Sequence, residues 1–337
     1  MGTLPGRVDP RAFCTQARVL VVAGKGGVGK TTVAATLALV AARAGLHTLL
    51  IDVEGTAALP ALFGHSGPLG YQETVLADGG DRPGTGRSGA PIRARSLTPD
   101  DALLEYLEDH GLRRISRRLT ATGTLDVIAT AIPGIKDLLV LSKVKSIDKG
   151  ATAGGDLDLI IIDAPAAGHA VTFLVSPKGL ADAVTVGPIR SQAGEVLEMI
   201  ADPTRFQVLL VTVPEETPVN EAAETAFLLE DQAGVKLAPV VVNGAWPHLG
   251  LGGAAPAAAS LGVQLTDAEV AGLDRAAEFR RHRQDLQAAQ VERLAERLPL
   301  PQMMLPYLFS TDLGIHELHI LADALERQIA VLPTSAS

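Results

Sequence analysis

The chain has 337 residues, 47% of them hydrophobic and 20% charged, enough to bury a sizeable core. A net charge of −9 speaks against an extended nucleic-acid surface, and a single cysteine, Cys14, excludes an intrachain disulfide and fits a reducing compartment. No stretch reaches the ~18 uninterrupted apolar residues of a membrane span and the N-terminus lacks a signal-peptide core, so a cytoplasmic place is expected, with any membrane role peripheral or through partners.

Residues 1–16 read as a flexible leader. Val19, Leu20, Val21 and Val22 then form an apolar, β-branched run expected to be a buried strand. It leads into Gly24-Lys25-Gly26-Gly27-Val28-Gly29-Lys30-Thr31-Thr32, and a helical pattern (Val33, Leu37, Val40) begins near Thr32. Strand, glycine-rich turn and helix start are the context of a phosphate-binding loop. Glycines let the backbone come close to phosphates, and the loop N–H groups and helix N-terminus favour an anion. In that reading Gly24, Gly26, Gly27, Val28, Gly29, Lys30, Thr31 and Thr32 cradle a nucleotide. Lys30 bridges the β- and γ-phosphates, and the Thr31 hydroxyl holds Mg²⁺.

A second buried strand is expected at Thr48–Val53. Residues 64–97 read as a loop insertion that includes the glycine-rich 79–86 and a short strand near Glu73–Leu76. From Pro99 to Ser146 the pattern turns helical, opened by Thr98-Pro99-Asp100-Asp101, so residues 98–150 are expected to be a helical subdomain. Its Leu138, Leu139, Leu141 and Val144 suit either core packing or a hydrophobic groove. Leu159–Ile162 is a strand that stops at Asp163. Further strands are expected at Phe206–Val213, Val235–Val242 and Met303–Leu308. Helices are expected at Val219–Gln232, Asp274–Arg297 and Ile315–Ala330, with 253–259 an alanine-rich loop and 331–337 a tail. Strands alternating with helices mean an α/β fold: a doubly wound, mostly parallel sheet of P-loop NTPase type with an inserted helical layer, as a single domain over 17–330. Ligands of such sheets bind beyond the carboxyl ends of the strands. Two strand ends there carry acids, Asp52-Val53-Glu54 and Asp163, and Asp163 is a candidate for holding Mg²⁺ through water.

Lys25, directly after the first glycine of the loop, makes the chain resemble the deviant P-loop ATPases, the class of partition, division-site-placement, nitrogenase-reductase and arsenite-pump ATPases. The resemblance implies a nucleotide-sandwiched dimer in which Lys25 reaches the partner's phosphates. Asp163-Ala164-Pro165-Ala166-Ala167-Gly168-His169 narrows it: the segment resembles the D-T-A-P-T-G-H switch of the arsenite-pump and tail-anchored-protein-targeting ATPases, with the proline one position early. Thr172-Phe173-Leu174, Ile132-Pro133-Gly134-Ile135, Pro214-Glu215 and Val240-Val241-Val242-Asn243 also resemble that family, in an actinobacterial-type branch. From it follow Asn243 at adenine, Pro306 in the loop that wraps the base, and Glu215 as a further nucleotide-site residue.

Departures from the family pattern bear on catalysis. The family's first switch, D-P-A-H, aligns its water-activating Asp with Glu54, and its Pro and His with Gly55 and Ala57. Glu54 is the first candidate for holding the attacking water and Asp52 the alternative. Ala164 and Ala167 replace two switch threonines, so slow or partner-stimulated turnover is expected. Without C-x-x-C no zinc clasp can form, and two subunits would supply two of the four thiolates an iron–sulfur cluster needs. The pair His316 and His319, the arginines 113, 114, 117 and 118, and Arg280-Arg281-His282-Arg283 read as ordinary solvated side chains.

The implied function is an ATP- and Mg²⁺-dependent dimeric switch, a homodimer or a heterodimer with a related ATPase chain, coupled to a hydrophobic client or a membrane-protein partner and not to nucleic acid. The alternatives are a small-molecule P-loop kinase or ligase, and a nucleotide-bound regulatory subunit paired with an active paralogue.

Overall fold

The computed structural model describes residues 8–78, 89–109 and 134–333. The glycine-rich run at 79–86, the arginines at 113–118 and Ile132-Pro133 lie outside them. Along the described chain run α1 (Pro10–Cys14), β1 (Val19–Gly24), α2 (Lys30–Arg43), β2 (Thr48–Asp52), α3 (Ala58–Leu62), β3 (Thr74–Ala77), β4 (Ile92–Ser96) and α4 (Pro99–Asp109). Then come α5 (Ile135–Thr152), β5 (Leu159–Ala166), α6 (Ala167–Ala183), α7 (Pro188–Ala201), β6 (Phe206–Thr212) and α8 (Glu216–Leu228). The chain continues with β7 (Lys236–Leu237), β8 (Val240–Ala245), α9 (Ala254–Ser260), α10 (Asp267–Arg297), β9 (Gln302–Pro306) and α11 (Ile315–Ile329).

The nine strands form one sheet in the order β3-β4-β2-β5-β1-β6-β8-β9, with β7 beside β6. Every pair is parallel except β3–β4. This is the expected α/β architecture. β1 lies between β5 and β6, and the crossovers to β2 and β6 leave in opposite directions, which opens a crevice beyond its carboxyl end. β1, β2 and the apolar part of β5 are buried throughout, as strands covered on both faces must be. Alternation then splits their side chains: Val19 and Val21 join the core layer that contains the α5, α6 and α7 side chains, while Leu20 and Val22 join the layer around α2 and α11. Helix α2 is buried continuously from Val33 to Ala42. Its alanines allow close approach to the sheet, so it is a core helix rather than an amphipathic surface helix.

Several expectations need correction. Residues 10–14, placed in a flexible leader, form a helix whose Phe13 and Cys14 are buried against the α2 layer. The 64–97 insertion contains a paired strand, β4, in parallel register with β2. Its sequence, Ile-Arg-Ala-Arg-Ser, hides the strand, but Arg95 is buried with its guanidinium 4.2 Å from the centre of the Tyr71 ring. The single strand expected over Val235–Val242 is two, since Pro239 has no N–H to give a ladder. The alanine-rich stretch is helical over Ala254–Ser260. The long polar helix begins seven residues early, at Asp267, behind a capping box in which Thr266 and Glu269 satisfy each other's backbone N–H groups. Leu138, Leu139, Leu141 and Val144 are core residues, all less than 5% exposed. Below them Asp148 anchors α5 to the sheet, 2.8 Å from Arg18 and 2.7 Å from Arg205.

Candidate nucleotide site

The glycine loop turns from the end of β1 into α2, and two close approaches explain why glycine is needed. A Cβ on Gly24 would sit 2.3 Å from the Val211 carbonyl oxygen of the neighbouring β6. Gly29 has φ of +89°, and its Cβ would sit 2.3 Å from the Asn243 amide nitrogen. Gly24→Ala is expected to destabilise the fold by about 1–3 kcal/mol, because the obstacle is backbone that cannot rotate away. Urea unfolding measures this, and an unchanged midpoint would contradict the packing account.

Lys30 opens α2, and among the described residues its ammonium hydrogen-bonds the Lys25 carbonyl oxygen alone, at 3.4 Å. The Thr31 hydroxyl donates to Asp163 Oδ2 at 2.6 Å. Asp163 is 8% exposed, and its Oδ1 is buried and has no hydrogen-bond partner among the described residues. Burial, above all, raises its pKa from 3.8 to about 6; the Thr31 hydrogen bond opposes the shift, and the Asp52 charge adds to it. β2 and β5 are in register, so Asp52 and Asp163 end side by side. An unpartnered buried carboxylate oxygen, beside a hydroxyl and a phosphate cradle, fits the hard oxygen ligation and ordered waters of Mg²⁺.

A pH effect follows from this burial. Between about pH 4 and 6 the folded chain holds a proton on Asp163 that the unfolded chain has lost, so stability falls as pH rises through that window and is level above it. The full cost is about 3 kcal/mol in the ligand-free protein. Asp163→Asn is therefore expected to stabilise the ligand-free chain at pH 8 and to flatten its stability between pH 4 and 6. Chemical unfolding at several pH values would show this, and equal pH dependence in the two proteins would refute it.

The structure separates the two first-switch candidates. Asp52 is 2% exposed. It accepts from the backbone N–H groups of Glu54, Gly55 and Thr56 at 2.9, 3.0 and 2.9 Å, which folds the segment after β2 into a tight loop. Burial raises its pKa despite these bonds. Glu54, by contrast, is exposed, and among the described residues its carboxylate makes neither a hydrogen bond nor an ion pair. Lys25 is half exposed at the loop and pairs with Glu221 of α8 at 2.6 Å.

The residues expected at the base lie near the ends of β8 and β9 and just before α8. Asn243 lies under the loop and donates to the Val28 carbonyl oxygen at 2.9 Å. Glu215 immediately precedes α8 and pairs with Arg283 at 2.7 Å, so Arg283 is not simply solvated. Nor is Arg280, which lies 5.3 Å from the Trp246 ring centre and donates to the Pro247 carbonyl oxygen. Pro306 ends β9 opposite Ala245. Beyond it Tyr307 and Phe309 meet Trp246, with ring centres 6.1 and 5.4 Å away. Gln287, buried on α10, accepts from the Trp246 backbone N–H through Oε1 and so ties this loop down. The aromatic group and Gln287 were missed because Gln287, Tyr307 and Phe309 all lie at least 41 residues from Trp246. The Glu221 partner of Lys25 had no sequence signal either.

A family model described as CobQ/CobB/MinD/ParA nucleotide binding domain matches residues 19–327. The chain is 31% identical to the ATPase BagA of Mycobacterium tuberculosis, over 92% of this chain and 93% of that protein. It is 28% identical to a Halobacterium salinarum protein that carries the name of an arsenical pump-driving ATPase, over 90% of this chain and 43% of that protein. It is also 30% identical to the ATPase get3 of Neurospora crassa, over 58% of this chain and 52% of that protein.

Proposed function

The chain belongs to the CobQ/CobB/MinD/ParA nucleotide-binding family, on the branch of the arsenite-pump-driving and tail-anchored-protein-targeting ATPases, and from that premise we propose that this P-loop ATPase is a dimeric, ATP-driven switch. The observation that carries the reading is the loop itself: a glycine cradle ending at Lys30, with the Thr31–Asp163 pair beside it and one Asp163 oxygen that has no partner among the described residues. The loop amides and Lys30 bind the phosphates, and Asn243 with the Pro306 loop faces the base. Thr31 and Asp163 would hold Mg²⁺, which when bound neutralises charge on the transferring phosphoryl group. Glu54 orients the attacking water, and Asp52 shapes the loop that presents it.

Lys25 is the residue offered to the partner. In the single chain it rests on Glu221, an exposed pair of the kind worth at most about 1 kcal/mol. It can therefore leave Glu221 for a phosphate at little cost. The expected outcome of Lys25→Ala is unchanged ATP affinity with turnover reduced at least tenfold. Equal turnover at concentrations where the protein is dimeric would show that the lysine does not act in trans. Light scattering in both nucleotide states, run beside the turnover assay, tests the dimer itself.

Nucleotide state has a direct route to the inserted layer. Helix α6 starts at Ala167, four residues after Asp163 on the same strand. On α6, Ser176 donates to Asp137 of α5 at 2.8 Å. A groove of about 530 Å³, lined by Val171, Val175, Leu180 and Val184 with Gly134, runs along this contact. Movement of the switch would reshape that groove, which supports coupling to a hydrophobic client. No described helix is long and apolar enough to cross a membrane.

A further inference from the structure

Of the 31 residues of α10 three are buried, Gln284, Gln287 and Leu294, and two of these carry amides. A buried amide is unfavourable unless it is hydrogen-bonded. Gln284 and Gln287 stand with Arg280 at helical positions i, i+4 and i+7, on one face, and all three reach the segment that follows Asn243. Gln287 Oε1 accepts from the Trp246 backbone N–H at 2.8 Å, and its Nε2 donates to the Gly244 carbonyl oxygen at 3.4 Å. Gln284 donates to the Pro247 carbonyl oxygen at 2.7 Å, and Arg280 to the same oxygen at 3.0 Å.

The segment they hold is irregular. Val242 of β8 pairs with Met304 of β9 and Ala245 with Pro306, so Asn243 and Gly244 together stand against Leu305 alone. Such a bulge interrupts the ladder and re-aims a side chain. Gly244 has φ of +72°, which glycine adopts without strain. Asn243 turns to the phosphate loop, where its Nδ2 donates to the Val28 carbonyl oxygen at 2.9 Å. With that nitrogen engaged, Oδ1 is the acceptor a ligand can meet.

We infer that Gln287 is a positioning residue for the nucleotide base: it holds the bulge, fixes the aim of Asn243, and so sets the preference for a 6-amino over a 6-oxo purine. The inference rests on the nucleotide site proposed above. An acceptor at Asn243 Oδ1 pairs with the amino group of adenine and opposes the carbonyl oxygen of guanine. That discrimination requires the oxygen to stay within hydrogen-bonding distance and direction. Gln287 bonds the backbone on both sides of Ala245, and without those bonds the bulge relaxes and the amide loses its fixed direction.

The test is calorimetric binding of ATP, GTP and inorganic tripolyphosphate, each with Mg²⁺, to the full chain and to Gln287→Met, Gln284→Met and Asn243→Ala. Methionine keeps the length and helix propensity of glutamine and removes both polar ends. Gln287→Met should lower the preference for ATP over GTP at least about fivefold, the effect of losing a hydrogen-bonded reading of the base. Tripolyphosphate, which has no base, should bind it within about twofold of the unaltered chain. If Gln287→Met does not fold, Gln284→Met decides: it loses one bond to the same segment and should lower the preference at least about twofold. A merely structural role would weaken all three ligands together. That outcome, or an unchanged preference beside a lowered one in Asn243→Ala, would overturn the positioning role and leave the base reading intact. An unchanged preference in Asn243→Ala would strike the base reading itself, and failure of tripolyphosphate to bind the unaltered chain would strike the phosphate cradle.

Discussion

Glu54→Gln is expected to lower ATP turnover by about 10²- to 10⁴-fold, the range for removing a positioned acid–base group, while ATP affinity changes less than threefold. Glutamine keeps the shape of the side chain and removes the anion. The exposed Glu54 side chain makes no bond within its own loop, so the substitution should leave the fold alone. Asp52 is differently placed: both its oxygens are engaged by the amides of residues 54 to 56. Asp52→Asn would oppose an amide NH₂ to a backbone N–H and so disturb the loop and its stability together. Steady-state turnover beside equilibrium ATP binding separates the two. Normal turnover in Glu54→Gln would return the water-positioning role to Asp52 or to a residue outside both switches.

Lys30→Ala is expected to weaken ATP binding about 10- to 150-fold, the equivalent of one net charge-assisted hydrogen bond at about 1.5–3 kcal/mol. The free chain should lose little stability, since among the described residues the ammonium hydrogen-bonds the Lys25 carbonyl oxygen alone, at the long distance of 3.4 Å. Titration calorimetry with ATP and Mg²⁺ measures the loss. Unchanged affinity would remove the phosphate-cradle assignment, and with it the roles given to Thr31 and Asp163. An unfolding midpoint within a degree or two of the unaltered protein would show that the effect belongs to the site and not to the fold.

The strands Val19–Gly24, Thr48–Asp52 and Leu159–Asp163, the glycine loop and the acids at two strand ends were legible in the amino-acid sequence. Buried parallel strands must be uninterrupted apolar runs, and a phosphate loop must place its glycines and lysine at fixed spacing; both constraints are local, and local pattern records them. What depends on distant neighbours was decided only by the tertiary structure. Arg95 makes β4 look polar until Tyr71 covers it. Leu138 to Val144 could have lined a groove until the sheet buried them. Asp52 and Glu54 both lay within reach of a water until three backbone amides claimed the first and left the second free. Lys25 acquired Glu221, 196 residues away, and Trp246 acquired Tyr307, Phe309 and Gln287. The Asp52 loop is local, closed by amides two to four residues on, but in the other cases the deciding energy is a contact between segments well separated in the chain, and no periodicity within either segment encodes it.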